Sequence, residues 1–198
     1  MQKFVHILEN EIKWLGALFD LRKSNPGIDI FDLNSKVQMD FVSQCHINPD
    51  DLRVPVFELY DSMYANFVSS NKLTLEERVL LILALAPNLY PSFVSNIFNT
   101  LGHDGNLFFK DEVTGGSKGE LFRGILPTGL TFIYLVAGNN LEKRIICMNF
   151  LLMKNSKLFE NAVIDMDENL SFEPFGSGRI RLNHEFLKVF ILRDLQDI

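Results

Sequence analysis

Tryptophan occurs once and cysteine only twice in 198 residues. Cys45 and Cys147 stand far apart, with no C-x-x-C pair and no H-E-x-x-H run. A disulfide framework and the common zinc motifs are thereby excluded, and free thiols in a reducing, cytoplasmic compartment are expected. Basic excess is also missing. The net charge is −6 and the pI about 5.2, with −4 in residues 1–99 and −2 in residues 100–198. Neither half carries the cations that supply most affinity for a nucleic-acid backbone, and an acidic balance disfavours anionic membranes. No apolar run reaches the roughly 18 residues of a membrane span. The start, MQKFVHILENEIKWL, places acids inside its apolar pattern and lacks a small-residue cleavage site, so no signal peptide is expected. A protein partner is what remains.

What is present is apolar bulk. Hydrophobic residues make up 47% of the chain, 18 of them phenylalanine, enough for a substantial core and against disorder. Phe4, Val5, Leu8, Ile12, Leu15, Leu18 and Phe19 recur at helical spacing until Asn25-Pro26-Gly27, predicting a helix over 2–23. Loops with short helical turns are expected over 26–55, then a helix over 57–70 presenting Tyr60, Met63, Tyr64, Phe67 and Val68. In KLTLEERVLLILALAPNL, Thr74 and Glu77 form a capping box. The following helix is predicted from Leu75 to Ala86, apolar almost all round and therefore central, with Pro87 ending it. Pro91 suits the first position of a further helix to about Phe98. A turn-rich stretch over 101–119 precedes helices capped by Thr128, to Ala137 with Gly138 at its end, and by Asn140, to about Met153. Val163-Ile164 and Arg179 to Leu182 read as two short strands around a long loop, and Asn183 caps a last helix from His184. The fold class expected is mainly α, a helical domain with a small β-hairpin forming a winged-helix-like element.

The stretch VTGGSKGELFRGILPTG invites a phosphate-binding reading and fails it. A Walker A loop needs G-x-x-x-x-G-K-S/T. Five residues on from Gly115 stands Glu120, from Gly116 stands Leu121, and Lys118 is followed by Gly119. His6, His46, His103 and His184 are scattered. Cys45-His46 is a single adjacent pair, too few donors for a metal site, and His103-Asp104 in its glycine-flanked stretch reads as a solvated turn rather than a ligand pair. Ser117 sits in no nucleophile elbow. Glu76-Glu77 and Asp50-Asp51 suit helix N-termini through the dipole. Arg179 and Arg181 alternate along a wing strand near Lys143 and Arg144, which keeps a winged-helix DNA-binding regulator as an alternative. The helix from Thr128 to Ala137, however, carries no charge with which to read DNA.

Three segments together resemble a known domain: LTLEERVLLILALAPNLYP, GGSKGELFRGILPTGLTFIYLVAGNNLEKR and EPFGSGRIRLNHEFLKVF. Leu73, Glu77, Arg78, Pro87, Gly115, Gly116, Lys118, Gly119, Pro127, Thr128, Gly129, Ala137 and Gly138 carry the match over roughly residues 60–192. The pattern is similar to the N-terminal, winged-helix-like domain of Bacteroidetes AAA-type ATPases associated with contractile injection systems. Leu130, Thr131 and Ile125 depart from it. The resemblance implies one helical domain, with residues 1–55 as an N-terminal extension and 56–192 as the accessory region. It implies a non-catalytic role, recognising a protein partner or positioning an ATPase ring. A stand-alone adaptor is a further alternative. The ATP-binding motifs of that family follow this domain, so no cofactor is expected in residues 1–198; ATP and magnesium, and oligomerisation, would come with an attached ATPase module. The candidate partner contact is the loop bearing Gly115, Gly116, Lys118, Gly119, Arg123 and Thr128, with Lys118 and Arg123 facing an acidic surface.

Overall fold

The computed structural model describes residues 2–31, 47–58, 62–100, 115–167 and 172–192. Cys45, His46, Tyr60, His103 and Asp104, and most of the predicted turn over 101–119, lie outside the described residues. Helix α1 spans Gln2–Ser24 and buries Phe4, Leu8, Ile12, Leu15, Leu18 and Phe19, as the spacing predicts, while Val5 is left exposed. A 3₁₀ turn, Pro49–Leu52, is capped by Asn48. Helix α2 covers Met63–Asn71 and not 57–70: the Ser62 hydroxyl accepts the Ala65 amide 3.0 Å away, fixing the start later than apolar spacing alone suggests.

Helix α3, Leu75–Leu89, is the centre of the molecule, with every residue from Glu77 to Ala86 buried. The predicted capping box is formed: the Glu77 amide reaches Thr74 Oγ1 and the Thr74 amide reaches Glu77 Oε2 at 2.9 Å. Pro87 does not end this helix. It removes one amide, but the Tyr90 amide still donates to Ala86 and Asn88 Nδ2 to the Ala84 carbonyl, so one more turn persists. Helix α4, Pro91–Thr100, then leaves at a bend of 117°. Among the described residues no single helix is long and apolar enough to cross a membrane.

The C-terminal half holds two small antiparallel strand pairs. Strands β1 (Ser117–Lys118) and β2 (Ile125–Leu126) form a hairpin whose two-residue strands lie below any periodicity signal. Helices α5 (Gly129–Ala137) and α6 (Leu141–Met153) follow, capped by Thr128 and Asn140 as expected and joined by the tight turn Gly138-Asn139-Asn140. A short helix, α7 (Lys157–Glu160), leads to β3 (Ile164–Met166). Strand β4 (Ile180–Leu182) pairs with it, and α8 (His184–Leu192) closes the chain. On its other side β4 meets Pro127-Thr128: the Ile180 amide donates to Pro127 at 2.9 Å, and Thr128 bridges Arg179. Strand β4 thus lies between β3 and the Pro127-Thr128 segment.

One buried cluster runs from Phe4 in α1 to Phe190 in α8. Tyr64, Phe67, Phe186 and Phe190 pack edge to face, with centroids 5.5–5.8 Å apart across the α2–α8 contact. Two buried polar devices lock the helices together. The Glu11 carboxylate accepts Arg78 and the Tyr64 hydroxyl, and the Arg78 guanidinium lies 4.6 Å over the Phe57 ring. Burial pushes the Glu11 carboxyl up against the pull of Arg78. Arg22, fully buried, donates to the carbonyls of Leu135, Val136, Pro26 and Ile28 at 2.7–3.0 Å. It caps the C-terminus of α5 and neutralises that end of its dipole.

Candidate functional site

The glycine-rich stretch becomes the β1–β2 hairpin, and its glycines divide by role. Gly115 takes φ +73°, and a Cβ there would lie 2.3 Å from the Leu130 side chain, so it lets the chain pass over the start of α5. The Thr128 hydroxyl donates to the Gly115 carbonyl and accepts the Thr131 amide. Thr128 is thus a buried anchor that holds the loop, with no surface to offer a partner. Gly116 is half-buried at the entry to β1. A Cβ at Gly119 would meet the Phe122 carbonyl at 2.8 Å, which makes it part of the tight turn. The hairpin is pinned to α4 by the Ile125 amide, which donates to Ser95 Oγ at 3.1 Å.

What the hairpin presents outward is Lys118, Glu120, Leu121 and Arg123. Leu121 is 98% exposed at the tip, and Lys118 and Arg123 form no ion pair with the described residues. Sequence reasoning identified the two cations and passed over the leucine between them. Ser117 Oγ turns onto the Lys118 carbonyl. His184 opens α8, where Glu185 pairs with Lys188 at 2.6 Å. Among the described residues no group of three or more His, Cys, Asp or Glu side chains is placed to hold a metal ion.

Arg179 and Arg181 are engaged. Arg179 Nε lies 2.6 Å and Arg181 Nε 2.8 Å from the two oxygens of Asp167, and Arg179 also reaches Glu120 at 3.5 Å. Asp165 takes Lys154 at 3.2 Å and Arg181 at 3.6 Å. The Asp167 hydrogen bond raises the Arg179 pKa above its usual value. Lys143 pairs with Asp29, and Arg144 donates to the Gly138 carbonyl at 2.8 Å. Arg179, Arg181, Lys143 and Arg144 therefore already have partners inside the fold.

The largest surprise lies on α6. Leu141, Ile145, Ile146, Leu152 and Met153 are 58–71% exposed. At about 100° per residue they fall within a single arc of about 140°, with exposed Glu142 and Asn149 among them. The opposite side buries Cys147 and Leu151 against α5. An apolar-rich helix sequence cannot say which of its apolar residues stay outside, so this stripe was not legible from periodicity. Beside it, Phe31, Phe132, Val136, Cys147, Phe150 and Lys143 line a cleft of about 450 Å³. Burial pushes the Cys147 thiol up to about 11. Comparison with protein-family models, curated proteins and solved structures finds no match for this chain.

Proposed function

We propose that this chain is a non-catalytic protein-recognition domain. The observation that carries the reading is the outward face of α6. In DNA-binding helix–turn–helix domains the second helix enters the major groove and reads bases with polar and cationic side chains. Here the second helix turns Leu141, Ile145, Ile146, Leu152 and Met153 to solvent, while Lys143 and Arg144 are held by Asp29 and Gly138. Exposed apolar surface of this extent is the mark of contact with protein.

The β1–β2 hairpin is the partner-recognition element. Leu121 is an apolar tip flanked by Lys118 and Arg123, a chemistry that fits a shallow apolar pocket rimmed by carboxylates. The resemblance to the domain ahead of AAA-type ATPase modules supplies the setting: an accessory domain that presents a partner to an ATP-driven ring, or positions that ring. Reading the coding frame past Ile198 tests the setting, since a strand followed by G-x-x-x-x-G-K-S/T is expected; a stop leaves a stand-alone adaptor. For the recognition itself, Lys118→Glu with Arg123→Glu should abolish capture of the partner at unchanged thermal stability. Unchanged capture removes the hairpin from the account. Tight, steeply salt-dependent binding of duplex DNA would replace protein recognition by the winged-helix regulator reading.

A further inference from the structure

We infer that the cleft between the first turn of α3 and helices α5 and α6 binds a small organic cation, an ammonium group carried on an aromatic or branched aliphatic body. This goes beyond protein recognition. Of the outward stripe on α6 only Ile146 reaches the rim of the cleft, so the loss of one function leaves the other intact.

The walls set the apolar half of that chemistry. Phe132 and Val136 of α5, Cys147 and Phe150 of α6, and Phe31 enclose about 450 Å³. Sites for small organic ligands run from roughly 300 to 1,000 Å³. Phe132 and Phe150 stack with centroids 5.8 Å apart, while Phe31 and Phe150 keep part of their surface free. The rings give a ligand's apolar body a surface on which it leaves water.

The lining side chains set the charge. Three of them, Glu76, Glu77 and Lys143, are ionised, and two of these are already engaged. Lys143 pairs with Asp29. Glu77 accepts the Thr74 amide on Oε2 at 2.9 Å and the Lys157 amide on Oε1 at 3.1 Å. The Glu76 carboxylate, half-buried, forms no ion pair with the described residues. Its field nevertheless reaches the opposite wall: after burial, Glu76 is the next cause that pushes the Cys147 thiol up. A partly desolvated carboxylate beside an apolar cavity attracts a cation that can donate to it and repels an anion. With Lys143 neutralised by Asp29, the lining holds no free cation that could receive a carboxylate or phosphate.

Heteronuclear NMR titration of the full chain with phenethylamine, with its neutral isostere phenethyl alcohol and with the anion hydrocinnamate tests the assignment. Ligand up to about 10 mM covers the weakest binding expected of molecules this small. Phenethylamine should shift the amides of Phe132, Val136, Cys147 and Phe150. It should bind about tenfold more tightly than the alcohol, because a charge-assisted hydrogen bond to Glu76 outweighs a neutral one. Hydrocinnamate should bind more weakly than either. Glu76→Gln keeps the shape of the side chain and should bring the amine down to the affinity of the alcohol, with the melting temperature as the control for folding. The comparison of the three ligands on the wild type stands even if that variant misfolds. No binding of the amine, equal binding of amine and alcohol, or shifts that fall away from the cleft overturn the inference. So does a preference for the amine that survives in folded Glu76→Gln.

Discussion

Replacing Arg22 with methionine perturbs the fold where the end of α5 meets the segment that follows α1. Methionine keeps much of the apolar stem and removes every donor. The Leu135 and Val136 carbonyls sit in the last turn of α5, beyond reach of intrahelical amides, because the Asn139 amide donates to Pro26 and the Asn140 amide to Ala137. Pro26 thus keeps one donor, whereas Leu135, Val136 and Ile28 lose the one Arg22 supplied. Each orphaned carbonyl costs about 1–3 kcal/mol. Relief from burying a guanidinium that only carbonyls hold, with no carboxylate of the described residues in ion-pair contact, offsets part of this, leaving a net loss of about 3–5 kcal/mol. In a chain of this length that corresponds to a fall of roughly 6–20 °C in Tm. Arg22→Lys should lie between, since a compact ammonium cannot span the carbonyls of both the last turn of α5 and the Pro26–Ile28 segment. Differential scanning calorimetry at neutral pH decides the matter. A Tm for Arg22→Met within about 2 °C of wild type would mean that the guanidinium does not hold the end of α5.

Four shorter predictions follow from other parts of the fold. Burial raises the Asp29 and Asp165 carboxyls, but lysine and arginine neighbours and backbone amides outweigh it and hold both below the usual carboxylate value of 3.8. Their stabilisation is present above that value and is lost as pH falls through the lower folded-state pKa; Asp29→Asn should flatten this acid limb in urea titrations across pH 2–5, roughly the span of carboxylate titration. Gly115→Ala forces a Cβ into Leu130 at φ +73° and should lower stability by about 1–3 kcal/mol, measured by urea denaturation. In a Cys45→Ser background, the Cys147 thiol, buried and held up to about 11, should react with Ellman's reagent at pH 8 only as fast as the protein unfolds; immediate reaction contradicts the burial. Leu121→Asp should leave Tm unchanged and abolish partner capture, checked by calorimetry and pull-down side by side.

Helix ends and caps were legible because their signals are local. Thr74, Thr128, Asn140 and Gly138 each announce a boundary within four residues, and each lies where expected. The β3–β4 pair was legible for the same reason, from β-branched residues flanking a Pro-Gly loop. Pro87 misled because losing one amide in a last turn is tolerated when Asn88 and Tyr90 maintain the others. The β1–β2 hairpin escaped because two-residue strands have no period. Arg22 reads as a basic residue at the end of α1, and nothing local reveals that its partners lie 113 and 114 residues away. At the candidate site, Lys118 and Arg123 were readable as cations in a glycine loop. Thr128 turned inward because the cap that begins α5 needs its hydroxyl, and the stripe on α6 depends on which neighbours the helix lacks.

Protein recognition through the hairpin tip is tested most directly by placing a photo-crosslinking amino acid at position 121 in the native host and irradiating living cells. A discrete protein adduct that disappears with Lys118→Glu and Arg123→Glu is the predicted result. An adduct to nucleic acid, or a protein adduct indifferent to those substitutions, would contradict it.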